Sequence, residues 1–447
     1  MAKQLSEGRA FPIFGYGSGY NLAVNSWLAA PLIKLFGATV FVLRLPLLFI
    51  NLIVGNGLAW TLRRKASLGR LDAFVCCLWF AIPSFAATSA MMNACIGGVE
   101  PFLFLMLLFW LQELPVIGGF FSGIGIAQRP YVLYGVVALL WVRSRDRLVS
   151  RARILGHSLK LVFAAVGSWG LIRFLSLYSH DHSPQRDPVS LKSFRHMLED
   201  VRGFFPEVIA KTIGLQIEIF RPMVITRDAV GSSTHFNVLG LALLPLGGVL
   251  LILFLRKFWK EGRSLIFIEP ARRELRFPYY LVFIGFFSFI AYVMVSPPVP
   301  DIRYTLLLLF WFVGSFALLF RRLPSGWVRS VAIVFAFGCA ANNVWANIQG
   351  WRYLSQLERD HPIQNVIDYL NLHDIRAVRA GYFSAFNLGY LSGERISVSE
   401  DSLTRVPENA EVFLHTPDAN RIDLFEWKCD EHAVQIGRLY LCPYHPK

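Results

Sequence analysis

Charge is what this sequence has least of. Of its 447 residues only 17% are Asp, Glu, Lys or Arg, where ordinary soluble domains carry about 25%. That shortage excludes a water-soluble enzyme with a fully charged surface. Acids are scarcer than bases: 30 against 44, for a formal net charge of +14. Cysteine is scarce too, with six in the whole chain. No Cys/His spacing of the zinc kind occurs, no HExxH and no phosphate-cradling nucleotide loop, which argues against a structural zinc site and a cytosolic ATP-driven machine. No internal repeat stands out. Met1 to Ala10 is polar and holds no apolar core, so it does not read as a cleavable leader.

What the sequence has is apolar. Hydrophobic residues make up 55%, mean hydropathy is +0.47, and the apolar residues come in long runs, the pattern of membrane-crossing helices. The runs are Ala38–Trp60, Leu71–Met92, a long stretch from Glu100 to Trp141, then Gly156–Tyr178, Asn237–Leu255, Tyr279–Val295, Tyr304–Phe320 and Val328–Ala346. Pro115, Gly118–Gly119, Gly123, Gly125 and Pro130 are expected to break the long stretch into three short spans. The total is about ten spans at roughly 20 residues each, the broken trio excepted.

Basic residues sit in the short loops Arg63–Arg70, Arg143–Arg153, Arg256–Arg276 and Arg321–Arg329, while Asn93–Gly98 and Ser296–Pro300 have none. A nucleic-acid binder would gather its bases on one soluble face; here they mark topology, and no nucleic acid is expected. Basic loops face the cytoplasm. The opening loop, the loop 179–236 and the tail then face outward, in a multi-pass protein of the inner (plasma) membrane. Three regions follow: 1–37, an outer loop and interfacial helix; 38–348, the transmembrane helices with outer loop 179–236; and 349–447, an extracytoplasmic α/β domain. In the tail Val366–Asp374 reads as a helix. AVRAGYF, ERISVSE and AEVFLHT read as strands, and AVQIG with LYLCP as a hairpin. Cys429 and Cys442 flank that hairpin on the oxidising side, where a disulfide forms readily; two reduced thiols are the alternative. The fold class is a polytopic α-helical membrane protein with a small C-terminal α/β domain.

The outward-facing segments hold the candidates for chemistry. RAFPIFGYGSGYN, Arg9–Asn21, combines glycines that let a ligand approach the backbone with aromatic faces such as Tyr16 and Tyr20 that suit sugars or headgroups. An interfacial loop anchored by aromatics has the same composition. In NACIGGVEP, Glu100 starts an apolar helix behind Gly97 and Gly98. A carboxylate there satisfies the helix dipole; an ionisable group at a membrane boundary is equally a candidate for function. Asp301 and Arg303 stand where a helix re-enters the membrane, and Arg binds phosphate bidentately; a surface ion pair or a snorkelling Arg is the alternative. His180, Asp181 and His182 form a fragment of a metal site without further ligands nearby and read as a solvated loop, so no metal site is assigned. Leu191–Phe220 has helical apolar spacing suited to the membrane surface.

These segments together resemble bacterial GT-C glycosyltransferases of the protein-mannosyltransferase-like kind. RAFPIFGYGSGYNLAVNSWLAAPLIKLFGATVFVLRLP is similar to the family's pattern through Phe11, Pro12, Tyr16, Gly17, Tyr20, Pro31, Phe36, Gly37, Arg44 and Pro46. GGVE at 97–100 resembles the family's GGY.E, with Val99 in place of Tyr; GGFFSGIG at 118–125 its Gly-rich turn; and AGYFSAFNLGYLSGERISVSE its C-terminal segment. Ser18 departs from the family's usual residue. The resemblance implies a GT-C-like fold and an inverting hexosyl transfer from a polyprenyl-phosphate sugar to a glycan, lipid or protein acceptor on the outer face. It needs no nucleotide, and dependence on a divalent metal stays open. In this light Arg303 and Tyr304 are assigned to the donor phosphate. Glu100 assists the acid–base step, and Tyr16, Gly17, Tyr20, Gly97 and Gly98 line the sugar or acceptor loop. The family's catalytic carboxylate lies in the first outer loop ahead of these motifs. Glu7, the nearest acid, does not match it, so the chain is expected to begin inside that loop, N-terminally truncated or without the acid. The alternative is a catalytically incomplete lipid-sugar binding or assembly partner on the same scaffold. Transport ranks third, because the spans are almost free of charge.

Overall fold

In the computed structural model, the described residues are 1–15, 18–92, 98–145, 150–178, 191–214, 216–217, 235–236, 240, 242–250, 252–253, 256, 273–295, 305–322, 326–360, 363–380, 388–389, 391–392, 395–399, 412–415, 434–436 and 439–443. The chain divides into two compact units, the second comprising Asn347–Lys447 with Glu218–Thr234.

The first unit is helical and apolar. A short helix α1, Ala2–Ser6, precedes a hairpin of β1, Phe14–Gly15, and β2, Ser18–Leu22. Helices α2, Val24–Phe36, and α3, Val40–Arg64, follow. Thr39 starts α3 by accepting a hydrogen bond from the Val42 amide at 3.2 Å, which answers one of the amides a helix start leaves open.

The expected single span Leu71–Met92 is two helices, α4, Arg70–Ala81, and α5, Phe85–Met91, bent by 74°. Pro83 causes the bend. Ile82 before it leaves the helical region at φ −128, ψ 68, as a residue preceding proline tends to, and Ser84 caps the new helix on the Ala87 amide at 3.3 Å. The carbonyl freed at Ile82 accepts from Asn343 Nδ2 at 3.0 Å.

The long stretch after Glu100 forms α6, Glu100–Trp110, α7, Pro115–Gln128, and α8, Leu133–Ser144. The helices change at Pro115 and Pro130, each in the first turn of its element, where proline costs no hydrogen bond. The glycines do not break anything, against expectation: Gly118, Gly119, Gly123 and Gly125 all lie inside α7. A Cβ at Gly119 would strike the backbone at Leu161, and one at Gly123 the backbone at Ala165 and the Ser168 hydroxyl. Both contacts are on α9, Arg151–Ser176. Glycines one turn apart let two apolar helices touch backbone to backbone, the close-packing device of membrane helices, and Ser168 Oγ donates to the Phe120 carbonyl at 3.0 Å across the contact.

Helix α10, Phe194–Gly203, leads through a π turn at Phe204–Ile209 to the short α11, Ala210–Thr212. Strands β3, Gln216–Ile217, and β4, His235–Phe236, pair antiparallel. Three long helices follow, α12, Arg276–Val295, α13, Leu308–Arg322, and α14, Gly326–Asp360, the last with its residues from Asn347 on in the second unit. The core is aromatic: Phe102 meets Phe310 at 4.8 Å and Phe80 at 5.1 Å between ring centres. Tyr280 Oη donates to the Leu105 carbonyl at 2.7 Å, tying α12 to α6.

Among the described residues four helical segments are long and apolar enough to cross a membrane, Val40–Arg64, Arg151–Ser176, Arg273–Val295 and Gly326–Arg352, or five with the bent pair. The chain is thus a polytopic α-helical membrane protein. Val24–Phe36 and the helices within Glu100–Ser144 are apolar but shorter. Of the expected span Asn237–Leu255, residues 242–250 are helical. Helix α9 exposes Phe163, Val166, Leu171 and Phe174, a surface suited to hydrocarbon and costly in water.

The second unit has α15, Ile363–Leu372, and a five-stranded sheet of β5, Ala377–Ala380, β6, Ser397–Ser399, β7, Val412–His415, β8, Val434–Ile436, and β9, Leu439–Pro443. The strand order is β6-β5-β7-β9-β8, with β5 parallel to β6 and β7, and β9 antiparallel to β7 and β8. Val366, Ile367 and Leu370 of α15 pack on Val378, Leu414 and Leu441.

Candidate functional site

Four elements bring their ends together. The first is the opening hairpin. Phe14 pairs with Leu22 across it, and both side chains pack on Ala127 near the end of α7, with Ile124 and Ile172 beside them. The ladder gives the segment an ordered edge where the sequence suggested an open loop. Trp27 on α2 holds its base, donating Nε1–H to the Pro12 carbonyl at 2.7 Å.

The second is the last turn of α9, where the Arg173 guanidinium lies over the Phe14 ring at 5.1 Å and over Trp169 at 5.6 Å. Cation–ring contacts of this kind hold an arginine in place while leaving its planar fork oriented.

The third and fourth are the start of α6 and the end of α7. Glu100 is the first residue of α6 and only 1% exposed. Neither carboxylate oxygen has a hydrogen-bond partner of normal geometry. It feels the charge of Arg129 and the backbone amides at Gly98, Val99 and Glu100. Arg129 caps the C-terminus of α7 and is 9% exposed. Gln128 beside it is also buried, its Oε1 without a partner. A buried carboxylate is expensive to keep unless charge and hydrogen bonds compensate it, and buried polar atoms in native proteins are nearly always bonded. Burial is the largest influence on Glu100; the amides of Glu100, Gly98 and Val99 and the charge of Arg129 offset it only in part, and among the described residues no hydrogen bond of normal geometry reaches either oxygen.

Gly98 comes close to this group for another reason than the one expected. A Cβ there would collide with the Ala90 carbonyl and the Met91 backbone, so glycine is required to pass the end of α5. Tyr20 lies in β2. Tyr16, Gly17, Gly97, Arg303, Tyr304 and Cys429 lie outside the described residues. Cys442 is disulfide-bonded, and Cys76, Cys77 and Cys339 are free and buried. Among the described residues no group of three or more His, Cys, Asp or Glu could hold a metal ion.

Arg129 and Arg173 were not singled out from sequence. A signal for the first exists: Arg129 is the one charged residue between Glu113 and Arg143, and an arginine in an apolar run requires an explanation. Arg173 gives no such signal, because only the fold puts Phe14 under it.

No protein-family model and no curated protein sequence matches this chain. Solved structures similar to it in shape include two of membrane enzymes. One is ArnT from Cupriavidus metallidurans bound to undecaprenyl phosphate, at 12% identity and a TM-score of 0.48 over 99% of this chain and 91% of that one. The other is the Archaeoglobus fulgidus oligosaccharyltransferase in its apo form, at 12% identity and a TM-score of 0.42 over 87% of this chain and 57% of that one. Likeness at this level assigns neither fold family nor role.

Proposed function

We propose that the chain is a membrane glycosyltransferase of the GT-C kind that moves a sugar from a polyprenyl-phosphate donor to an acceptor. The observation that carries it is Glu100: a buried carboxylate with open hydrogen-bonding capacity, facing Arg129 in an otherwise apolar helical protein. The motif resemblance from Arg9 to Pro46 and at Gly97–Glu100 supports the same reading.

The chemistry is consistent with these residues. Departure of the polyprenyl phosphate builds negative charge, which cations stabilise; Arg303 with Tyr304 takes that role, and Arg129 holds the charge balance around Glu100. The acceptor hydroxyl must lose a proton as it attacks. Glu100 orients or receives that proton. The loop carrying Tyr16, Gly17 and Tyr20, with Gly97 and Gly98, frames the sugar or acceptor. Release of the phosphate drives transfer, so no nucleotide takes part. The protein resides in the inner membrane with its C-terminal unit outside the cytoplasm, where Cys442 pairs with Cys429.

A second reading, a lipid-sugar binding or assembly partner, is favoured by the near-complete burial of Glu100, since a carboxylate used in turnover must meet its substrate. Native mass spectrometry of the purified full-length chain with a polyprenyl phosphate tests the donor half of both readings. One lipid bound to the wild type and none to Arg303→Ala is the expected result. Equal binding by the two removes Arg303 from the site. A reporter fused after Lys447 is expected to be active only outside the cytoplasm, and cytoplasmic activity reverses the orientation.

A further inference from the structure

Helix α10 carries an apolar face that stands exposed among the described residues. Leu191, Phe194, Leu198 and Val201 are 70%, 82%, 43% and 47% exposed. Phe194, Leu198 and Val201, spaced four and three residues apart, lie on one stripe of the helix, and Leu191 lies just ahead of its cap Ser193. Arg195 and Arg202 fall along one edge of that stripe at 100° per residue, and Glu199 lies farther round. The opposite edge meets the protein, where Met197 and Asp200 are half-buried.

The attachment fixes where this face sits. The Lys192 amide donates to the Met294 carbonyl at 3.0 Å. Lys192 Nζ donates to Asp200 at 2.5 Å and to the Tyr292 carbonyl at 3.3 Å, and lies 5.3 Å from the Tyr292 ring. Just past the other end, Phe204 packs edge-on against Phe289 at 4.4 Å and meets Tyr292 at 5.9 Å. Both ends of α10 therefore touch α12 between residues 289 and 294. That is about 8 Å of α12 against about 15 Å of α10, at 1.5 Å per residue. Helix α10 crosses the final turns of a membrane-length helix and does not run down its side. The ends of such helices lie at the lipid–water boundary.

We infer that α10 is an interfacial helix that lays Leu191, Phe194, Leu198 and Val201 into the lipid surface and binds anionic phospholipid headgroups through Arg195 and Arg202. Lys192 and Asp200 neutralise each other against α12, and Glu199 is paired with Arg195, so the exposed flank keeps a net positive charge through Arg202. An apolar stripe edged by arginine is the composition that enters the headgroup region of anionic membranes.

The test uses the full-length chain with benzoylphenylalanine replacing Phe194, reconstituted in nanodiscs of mixed phosphatidylglycerol and phosphatidylcholine. Irradiation is expected to yield phospholipid adducts enriched in phosphatidylglycerol over its bulk share. Arg195→Gln with Arg202→Gln is expected to lower that enrichment, by about five-fold for each charge at full effect, while lipid adducts persist. Adducts to another segment of the chain, or to a second copy, overturn the interfacial assignment. Lipid adducts at the bulk ratio in both proteins overturn the headgroup assignment. A variant that does not reconstitute is replaced by hydrogen exchange of residues 194–203 in the unsubstituted chain. Slower exchange in anionic than in neutral nanodiscs is expected, and equal exchange counts against the proposal.

Discussion

Helices α6 to α9 carry a polar cluster at each end, and the two are built differently. At the end holding Glu100, charge faces charge and the carboxylate accepts no hydrogen bond of normal geometry. At the other end, Arg143 donates to the Gln112 carbonyl and lies 2.7 Å from His157 Nε2. His157 Nε2 itself lies 2.5 Å from the same carbonyl, and Glu113 is 3.6 Å from Arg143. That second cluster closes the turn between α6 and α7 onto α8 and α9, and every member has a partner. A satisfied cluster specifies structure. On the proposed function, the Glu100 cluster, whose carboxylate has no side-chain hydrogen bond among the described residues, is where a substrate would add its bonds. The difference teaches that the arginines of an apolar protein must be sorted by what their neighbours lack.

Substitutions can break this contrast. The largest effect is expected from Arg129→Ala, which leaves Glu100 buried without that positive charge, at a cost of up to about 3–5 kcal/mol. Thermal unfolding in detergent should show it. Combining it with Glu100→Gln should recover most of the loss, and a double variant as unstable as the single one would dissolve the pair. Next comes Gly123→Leu. It forces α7 off α9 at Ala165 and Ser168, for about 1–3 kcal/mol of overpacking, measured the same way. His157→Ala should cost about 1–3 kcal/mol as the Gln112 carbonyl and Arg143 lose a partner, yet leave transfer per folded molecule unchanged. Lost transfer in a folded His157→Ala protein would erase the distinction between the two ends.

The smallest effect concerns α10, where hydrogen bonds from His196, then Arg195, hold the Glu199 carboxyl below its ordinary value. A depressed folded-state value means the contact supports α10 above the usual glutamate range. The support fades as pH falls through the lowered value. The protection of amides 194–203, after correction of exchange rates for their intrinsic pH dependence, should therefore fall on acidification, and Glu199→Gln should flatten that response.

Much of the architecture was legible because its signals are local. Pro115 and Pro130 start helices where proline must, and each strand of the tail falls within a stretch read as one. Pro83 sits in an apolar run that reads as one span, and its bend is stabilised from afar by Asn343. Gly119 and Gly123 look like breakers until α9 is placed beside them. The site was half legible: Glu100 and the opening aromatics stand out by type and position. Its completion by Arg129 and Arg173 depends on long-range packing that periodicity does not encode.

The central claim is that Glu100 serves a reaction on a polyprenyl-phosphate sugar. The most direct test compares polyprenyl-linked lipids, by mass spectrometry, in membranes of cells carrying the wild-type chain and Glu100→Gln at equal abundance. Accumulation of an unreacted polyprenyl-phosphate sugar in the variant is the predicted result. Identical lipid profiles, with the variant folded and present, would contradict it.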